Sequence, residues 1–207
     1  MPIMKYGNLR GTKTRPLSSL DSEIRALKRR VGRNTRAPYY FRKAYSLTAP
    51  TLAGDFRVQD INVSTDFMNS AEFPLHVLGD NFFMKSLELR FRLDSDIDDF
   101  RCVIYKPKRT GNQWQPGLTI DTMASPVDRS IYTVLADFVS NRPENDSDRT
   151  VVRYLNLRNL IAVVNRDASP DSLERGDIKI KLFYQCDTKS GGTNVGSCQT
   201  QLSITDK

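Results

Sequence analysis

The sequence holds one histidine, one tryptophan and three cysteines in 207 residues, and each scarcity closes off a class of function. A lone histidine, His76, cannot make a zinc site of the usual kinds, which draw several ligands from histidine and cysteine. It would also have to serve as general base for every serine in the chain. No HExxH, CxxC, GxSxG or GxxxxGK[ST] pattern occurs, so the familiar metalloprotease, thiol-redox, hydrolase and phosphate-loop chemistries have no local signature. Cys102, Cys186 and Cys198 are too few for a disulfide scaffold and point to a reducing compartment. Cys186 and Cys198 flank the glycine-rich stretch SGGTNVGS, where a hairpin would set them opposite each other, but free buried thiols are the expectation. No apolar stretch approaches the length that spans a bilayer, and the start, MPIMKYGNLRGTK, has no apolar core of the secretory-signal kind. The expectation is a protein that is not an enzyme, with no cofactor, no small-molecule substrate and no membrane.

What is present is positive charge, unevenly placed. Residues 1–45 carry 12 of the chain's 31 Lys and Arg but only 2 of its 24 acids, leaving 19 basic and 22 acidic residues for positions 46–207. The net charge of +7 therefore comes wholly from the first part. A basic segment on a near-neutral domain points to a polyanionic partner, nucleic acid first and an anionic membrane surface second, with an inert solvated tail as the bland reading. The candidate phosphate contacts are Arg10, Lys13, Arg15, Arg25, Lys28, Arg29, Arg30, Arg33, Arg36, Arg42 and Lys43.

Within this arm, SLDSEIRALKRRVGRNTR (19–36) has helical periodicity. Leu20, Ile24, Leu27 and Val31 form an apolar stripe, which predicts a short amphipathic helix over about 19–31. Ser18 or Ser19 caps it, Asp21 and Glu23 sit at the positive end of its dipole, Lys28, Arg29 and Arg30 at the negative end, and Gly32 stops it. The stripe is too short to hold a helix alone in water, so the helix is expected to order on neighbouring arms or on phosphate. Residues 1–18 read as disordered. In YYFRKAY (39–45) aromatic rings interleave with Arg42 and Lys43. Such rings can stack on bases or pack beneath a domain; packing is the expectation for the rings, phosphate contact for the charges.

From residue 46 the period becomes two. FRVQDINVSTDF (56–67), MKSLELRFRLD (84–94), FRCVIYK (100–106), IYTVLADFV (131–139), TVVRYLNLRNLIAVV (150–164), DIKIKLFYQ (177–185) and CQTQLSITD (198–206) read as strands. In the clearest, Leu87, Leu89, Phe91 and Leu93 oppose Glu88, Arg90 and Arg92; FRCVIYK is apolar on both faces, as a strand covered on both sides is. The 150–164 run is long enough to bend or to make two strands, and no helical period occurs in the body. About eight strands with long crossing loops predict an all-β fold, an eight-stranded jelly-roll sandwich of two antiparallel sheets over 46–207, with the basic arm over 1–45. Two acidic clusters, Asp94, Asp96, Asp98 and Asp99, then Glu144, Asp146 and Asp148, read as solvated turns, with Ca²⁺ held between subunits as the alternative.

The order of these parts resembles the capsid proteins of small icosahedral viruses, those of satellite necrosis viruses and of small circular single-stranded DNA viruses. The residues that carry the resemblance are GDNFFMKSLELRFRLD followed by FRCVIYKPKRTGNQWQPG, then IYTVLADF with Tyr132, Val134, Leu135 and Asp137, then DIKIKLFYQ. The resemblance implies a virion protein that self-assembles into a shell of about 60 copies and packages a single-stranded DNA or RNA genome through its arm. Assembly would take place in the host nucleus or cytoplasm. The longest basic run is only Lys28 to Arg30, unlike the dense arginine starts of many circular-DNA-virus capsids, which leaves RNA open. The competing reading is a nucleic-acid-binding β-sandwich that forms no capsid.

Overall fold

Leu87, Leu89, Phe91 and Leu93 are fully buried, so the strand they define lies mid-sheet with its polar residues turned outward. The computed structural model describes residues 37–110, 113–114, 123–142, 147–166 and 172–206; the predicted arm helix, and Arg10 through Arg36 among the candidate contacts, lie outside them. The strands are β1 (Tyr39–Thr48), β2 (Phe56–Ile61), β3 (Asn81–Leu93), β4 (Ile97–Pro107), β5 (Arg109–Thr110), β6 (Gln113–Trp114), β7 (Tyr132–Asn141), β8 (Arg149–Asn165), β9 (Ser172–Arg175), β10 (Lys179–Cys186) and β11 (Asn194–Asp206). A five-stranded sheet runs β1-β11-β3-β8-β9 and a four-stranded sheet β2-β10-β4-β7, with β5 and β6 pairing as a separate ribbon. All pairings are antiparallel. Among the eight principal strands every connection except β4 to β7 crosses between the sheets, which is the wrapping of a jelly roll. The short β9 extends the five-stranded sheet beyond the expected eight.

The core fills the space between the sheets. Phe91, Phe100 and Phe138 meet at ring separations of 5.0–6.5 Å, and Phe67, Phe73 and Phe82 form a second aromatic group at 5.3–6.0 Å. Each fully buried Phe or Leu contributes about 1.5–3 kcal/mol. As its two-sided apolarity predicts, β4 is covered on both faces: Val103, Tyr105, Tyr132 and Phe183 make a small outer cluster under Met123, Val127 and Ile131. Arg101, 5% exposed, ties that cover down. Its guanidinium donates to both Asp137 oxygens (2.9 and 2.7 Å) and to the Met123 and Ser125 carbonyls (2.7 Å each).

Several expectations change. The first strand begins at Tyr39, inside the 1–45 stretch counted as arm, because Phe41 and Leu47 are buried inward positions and pairing with β11 starts at Tyr39↔Ile204. The 56–67 run is not one strand: β2 ends at Ile61 and a helix α1 (Val63–Met68) follows. Val63 and Phe67, four apart, share its buried face, and the Ser64 hydroxyl accepts the Ile178 amide at 2.6 Å. A one-turn helix α2 (Phe73–His76) comes next, so the body is not free of helix. His76 sits in α2 rather than in a loop, its ring stacked 3.6 Å from that of Tyr39. Cys186 and Cys198 are not opposed in a hairpin, since β10 and β11 belong to different sheets and pair Cys186 with Ile97 and Cys198 with Phe91. The three thiols are free and buried, as expected. β8 is one strand with a bend, where Arg158 and Asn159 take positive φ.

Strand directions set two ends. The β1–β2, β3–β4, β7–β8 and β10–β11 connections gather at one; the chain's entry into β1 and the β2–β3, β4–β7 and β9–β10 connections gather at the other.

Candidate nucleic-acid interface

Alternation along β1 turns Tyr40, Arg42, Ala44 and Ser46 away from the core, and the antiparallel register carries that outer face across the sheet. Arg42 lies in a row with Gln201, Glu88 and Tyr154; Ala44 with Gln199, Arg90 and Val152; Ser46 with Ser197, Arg92 and Thr150. Ala44 has no side chain to fill its place, and a groove of about 530 Å³ opens there between Arg42, Glu88, Arg90, Gln199 and Gln201. Arg42 donates through Nε to the neutral Gln201 amide oxygen at 2.7 Å, which orients the guanidinium without cancelling its charge. Arg90 donates to Glu88 at 2.6 Å, and Arg92, 77% exposed, stands 3.9 Å from Asp148. Exposed Tyr40 and Tyr154 flank this row of guanidinium groups.

Planar forks of N–H donors match phosphate oxygens, amides add neutral hydrogen bonds, and tyrosine rings offer stacking surfaces to unpaired bases. The face therefore has the parts of a single-strand contact surface. Of the two candidate residues that the structure describes, only Arg42 belongs to it. Lys43 is on the inward row, where its ammonium binds Asp66 at 2.9 Å and lies 5.3 Å over the Tyr45 ring. Asp66 also accepts the Tyr45 hydroxyl at 2.5 Å, and burial pushes that hydroxyl well above the ordinary tyrosine range. The rings of 39–45 behave largely as expected: Phe41 is buried, Tyr39 and Tyr45 pack against the core, and Tyr40 alone is outward and exposed. Sequence reasoning passed over Arg90, Arg92, Gln199 and Gln201, which share this face with Arg42. Arg90 and Arg92 were visible on the polar side of β3, but β11 has to intervene before they share a face with Arg42.

The acidic clusters have internal work. The Asp94 carboxylate binds the Lys189 ammonium at 2.6 Å, which holds it below its usual value. Asp96 is buried, which opposes its charge, yet the Thr188 hydroxyl and the Thr188 and Lys189 amides outweigh that and lower its value too. Among the described residues no group of three or more His, Cys, Asp or Glu side chains is placed to hold a metal ion. Glu144 and Asp146 lie outside those residues. Burial raises the thiols of Cys186 to about 11 and Cys198 to about 12, so neither is a nucleophile at neutral pH.

No family model matches the chain, and no curated protein does either. The fold is similar to chains solved from three viruses. One, from desmodium yellow mottle tymovirus, is 13% identical, with a TM-score of 0.40, over 82% of this chain and 87% of that one. A second, from turnip yellow mosaic virus, is 7% identical, with a TM-score of 0.36, over 82% and 80%. The third, from a full particle of Israeli acute paralysis virus heated to 63 degrees, is 10% identical, with a TM-score of 0.36, over 98% and 82%.

Proposed function

We propose that this is a viral capsid protein, whose jelly-roll domains close into a shell of about 60 copies and whose basic N-terminal residues hold single-stranded DNA or RNA inside it. The observation that carries the reading is the partition of charge: 12 basic residues against 2 acids in the first 45, on a body with 19 against 22. A shell would concentrate roughly 600 positive charges on its genome, and binding driven by release of counterions needs no base sequence. The sheet face with Arg42, Arg90 and Arg92 adds contacts of the same sequence-independent kind. In this reading the protein performs no reaction, and its place is the virion.

The test is assembly. Purified full-length protein should elute as megadalton particles that carry nuclease-protected nucleic acid and show as shells in electron micrographs. A protein that binds nucleic acid yet stays monomeric at every salt concentration is the alternative, a β-sandwich that forms no capsid. Replacing Arg29, Arg30 and Arg33 together by Gln should flatten the dependence of log affinity on log salt by about 2, since a single strand loses roughly 0.7 per phosphate contact. An unchanged slope would take these residues out of the contact.

A further inference from the structure

The gap that Ala44 leaves in the outer sheet face is lined by polar groups whose hydrogen bonds are only partly used. Its volume of about 530 Å³ lies inside the range of about 300–1,000 Å³ that small ligands occupy. Beside it runs the row Arg42, Gln201, Glu88, Tyr154, contributed in turn by β1, β11, β3 and β8. Gln201 and Glu88 are opposed in the register, which sets their Cβ atoms about 4.5–5.5 Å apart.

Each of these two is oriented by an arginine. The Gln201 amide oxygen accepts the Arg42 Nε–H at 2.7 Å, so its NH2 group is left to donate elsewhere, and it meets no acceptor among the described residues. Glu88 accepts the Arg90 Nε–H at 2.6 Å on one oxygen, and no donor reaches the other among the described residues. The Glu88 side chain is only 22% exposed, which strengthens the hydrogen bonds it accepts. Read across the row, the pair offers a donor and then two acceptors, the Gln201 NH2 followed by the two carboxylate oxygens.

Unpaired bases are read on their Watson–Crick edges, and only one base fits this order at every position. Guanine presents an acceptor and two donors, O6, N1–H and N2–H, so the carboxylate takes both donors and the amide takes O6. Hypoxanthine lacks the last donor. Adenine, turned over, matches two positions through N1 and its amine. Thymine and uracil put a carbonyl oxygen against the carboxylate, and cytosine puts its bare ring nitrogen there. At the ends of the row the Arg42 guanidinium and the exposed Tyr154 ring remain for phosphate and a neighbouring base.

We propose that the gap beside Ala44 is a guanine-reading subsite in which Gln201 and Glu88 take the base edge. It rests on the reading that this face meets single-stranded nucleic acid, and adds a base preference to contacts that otherwise ignore sequence.

The test uses full-length protein freed of nucleic acid at high salt, and short oligothymidylates that carry one central guanine, hypoxanthine or adenine. Binding is followed by fluorescence anisotropy in about 0.3 M salt, where phosphate contacts of the basic N-terminal residues are weakened. The guanine oligomer should bind about fivefold or more tighter than either of the others, as a bidentate base contact discriminates by at least about that much. Glu88→Gln keeps the shape but replaces an acceptor with a donor, and should bring the guanine-to-adenine ratio below about twofold. The comparison of bases on the native protein needs no variant to fold. Equal affinity for the three oligomers, or a guanine preference that survives in Glu88→Gln, overturns the subsite. Ultraviolet crosslinking with peptide mass spectrometry should place the guanine oligomer on β1, β3, β8 or β11. Crosslinks confined to the N-terminal residues overturn the reading of the face itself, a failure distinct from equal affinity with crosslinks on these strands.

Discussion

The two ends of the sandwich hold their charged groups in different ways. Where the β1–β2, β3–β4, β7–β8 and β10–β11 connections meet, charged groups are consumed by the fold. Asp94 binds Lys189, Asp96 takes two backbone amides and a hydroxyl, and Arg142 pairs with Asp187. Arg149 donates to the Ile97, Asp98 and Ser140 carbonyls at 2.7–3.0 Å. At the other end Arg166 pairs with Asp80 and Lys179 with Asp177, while half-buried Lys106 lines an open groove with Arg175 and Glu174. Most polar groups recruited to hold loops at the first end finish with partners, because a buried unpaired donor or acceptor costs about 1–3 kcal/mol; the buried Nε of Arg149 is an exception. The first end ties its carboxylates to backbone amides and an ammonium, whereas at the second Lys106 is half-buried with no carboxylate partner among the described residues.

The sharpest way to break this contrast is to empty one side of it. Asp96→Ala removes the acceptor for the Thr188 amide and hydroxyl and for the Lys189 amide. With three donors stranded, the expected loss is about 3 kcal/mol in urea unfolding. Arg175→Ala at the opposite end should change stability by less than about 0.5 kcal/mol. Equal losses at the two ends would mean that Arg175 is as much a part of the fold as Asp96.

How much of this was legible depends on whether neighbouring strands were needed to see it. β3 and β10 stand out because each carries its own alternation and β4 because it is a short run apolar on both faces, and the inward row of β4 places Lys106 two residues after Ile104 in plain sequence. β1 was obscured because Arg42 and Lys43 made it resemble the basic arm, although Phe41 and Leu47 mark its inward face. The α1 helix was hidden by β-branched Val63 and Thr65, whose local preference for strand is overridden by burial of Val63 and Phe67. The sheet face around Arg42 depends on β11 lying between β1 and β3, an order of strands across a sheet that has no local signal.

Acidity should erode the paired end first. Asp94 and Asp96 have values lowered in the fold, so their stabilisation is complete above the unfolded carboxylate value of about 4. It is lost as pH falls through the lower folded-state values. Unfolding in urea from about pH 6 down to about pH 2.5 should show a steeper decline for the native protein than for an Asp94→Asn, Asp96→Asn double variant. The double variant should be the weaker protein at neutral pH, and the two curves should converge in acid. Parallel curves would place the acid-sensitive groups elsewhere.

Lys106, half-buried at the other end, predicts the smallest effect and the opposite sign. Lys106→Gln relieves the half-buried charge and its repulsion by Arg175, and should raise stability in chloride by about 0.5 kcal/mol after solvent screening. The charged groups lining the groove around it are Lys108, Glu174 and Arg175. A base whose value is lowered in the fold is a burden while it stays protonated, and the burden disappears as pH rises from the folded value to the unfolded value of about 10.4. The advantage of Lys106→Gln should therefore be full near neutrality and close as pH approaches about 10. A variant less stable than the native protein at neutral pH would mean that Lys106 already has what it needs from the fold, and the two ends would then be alike.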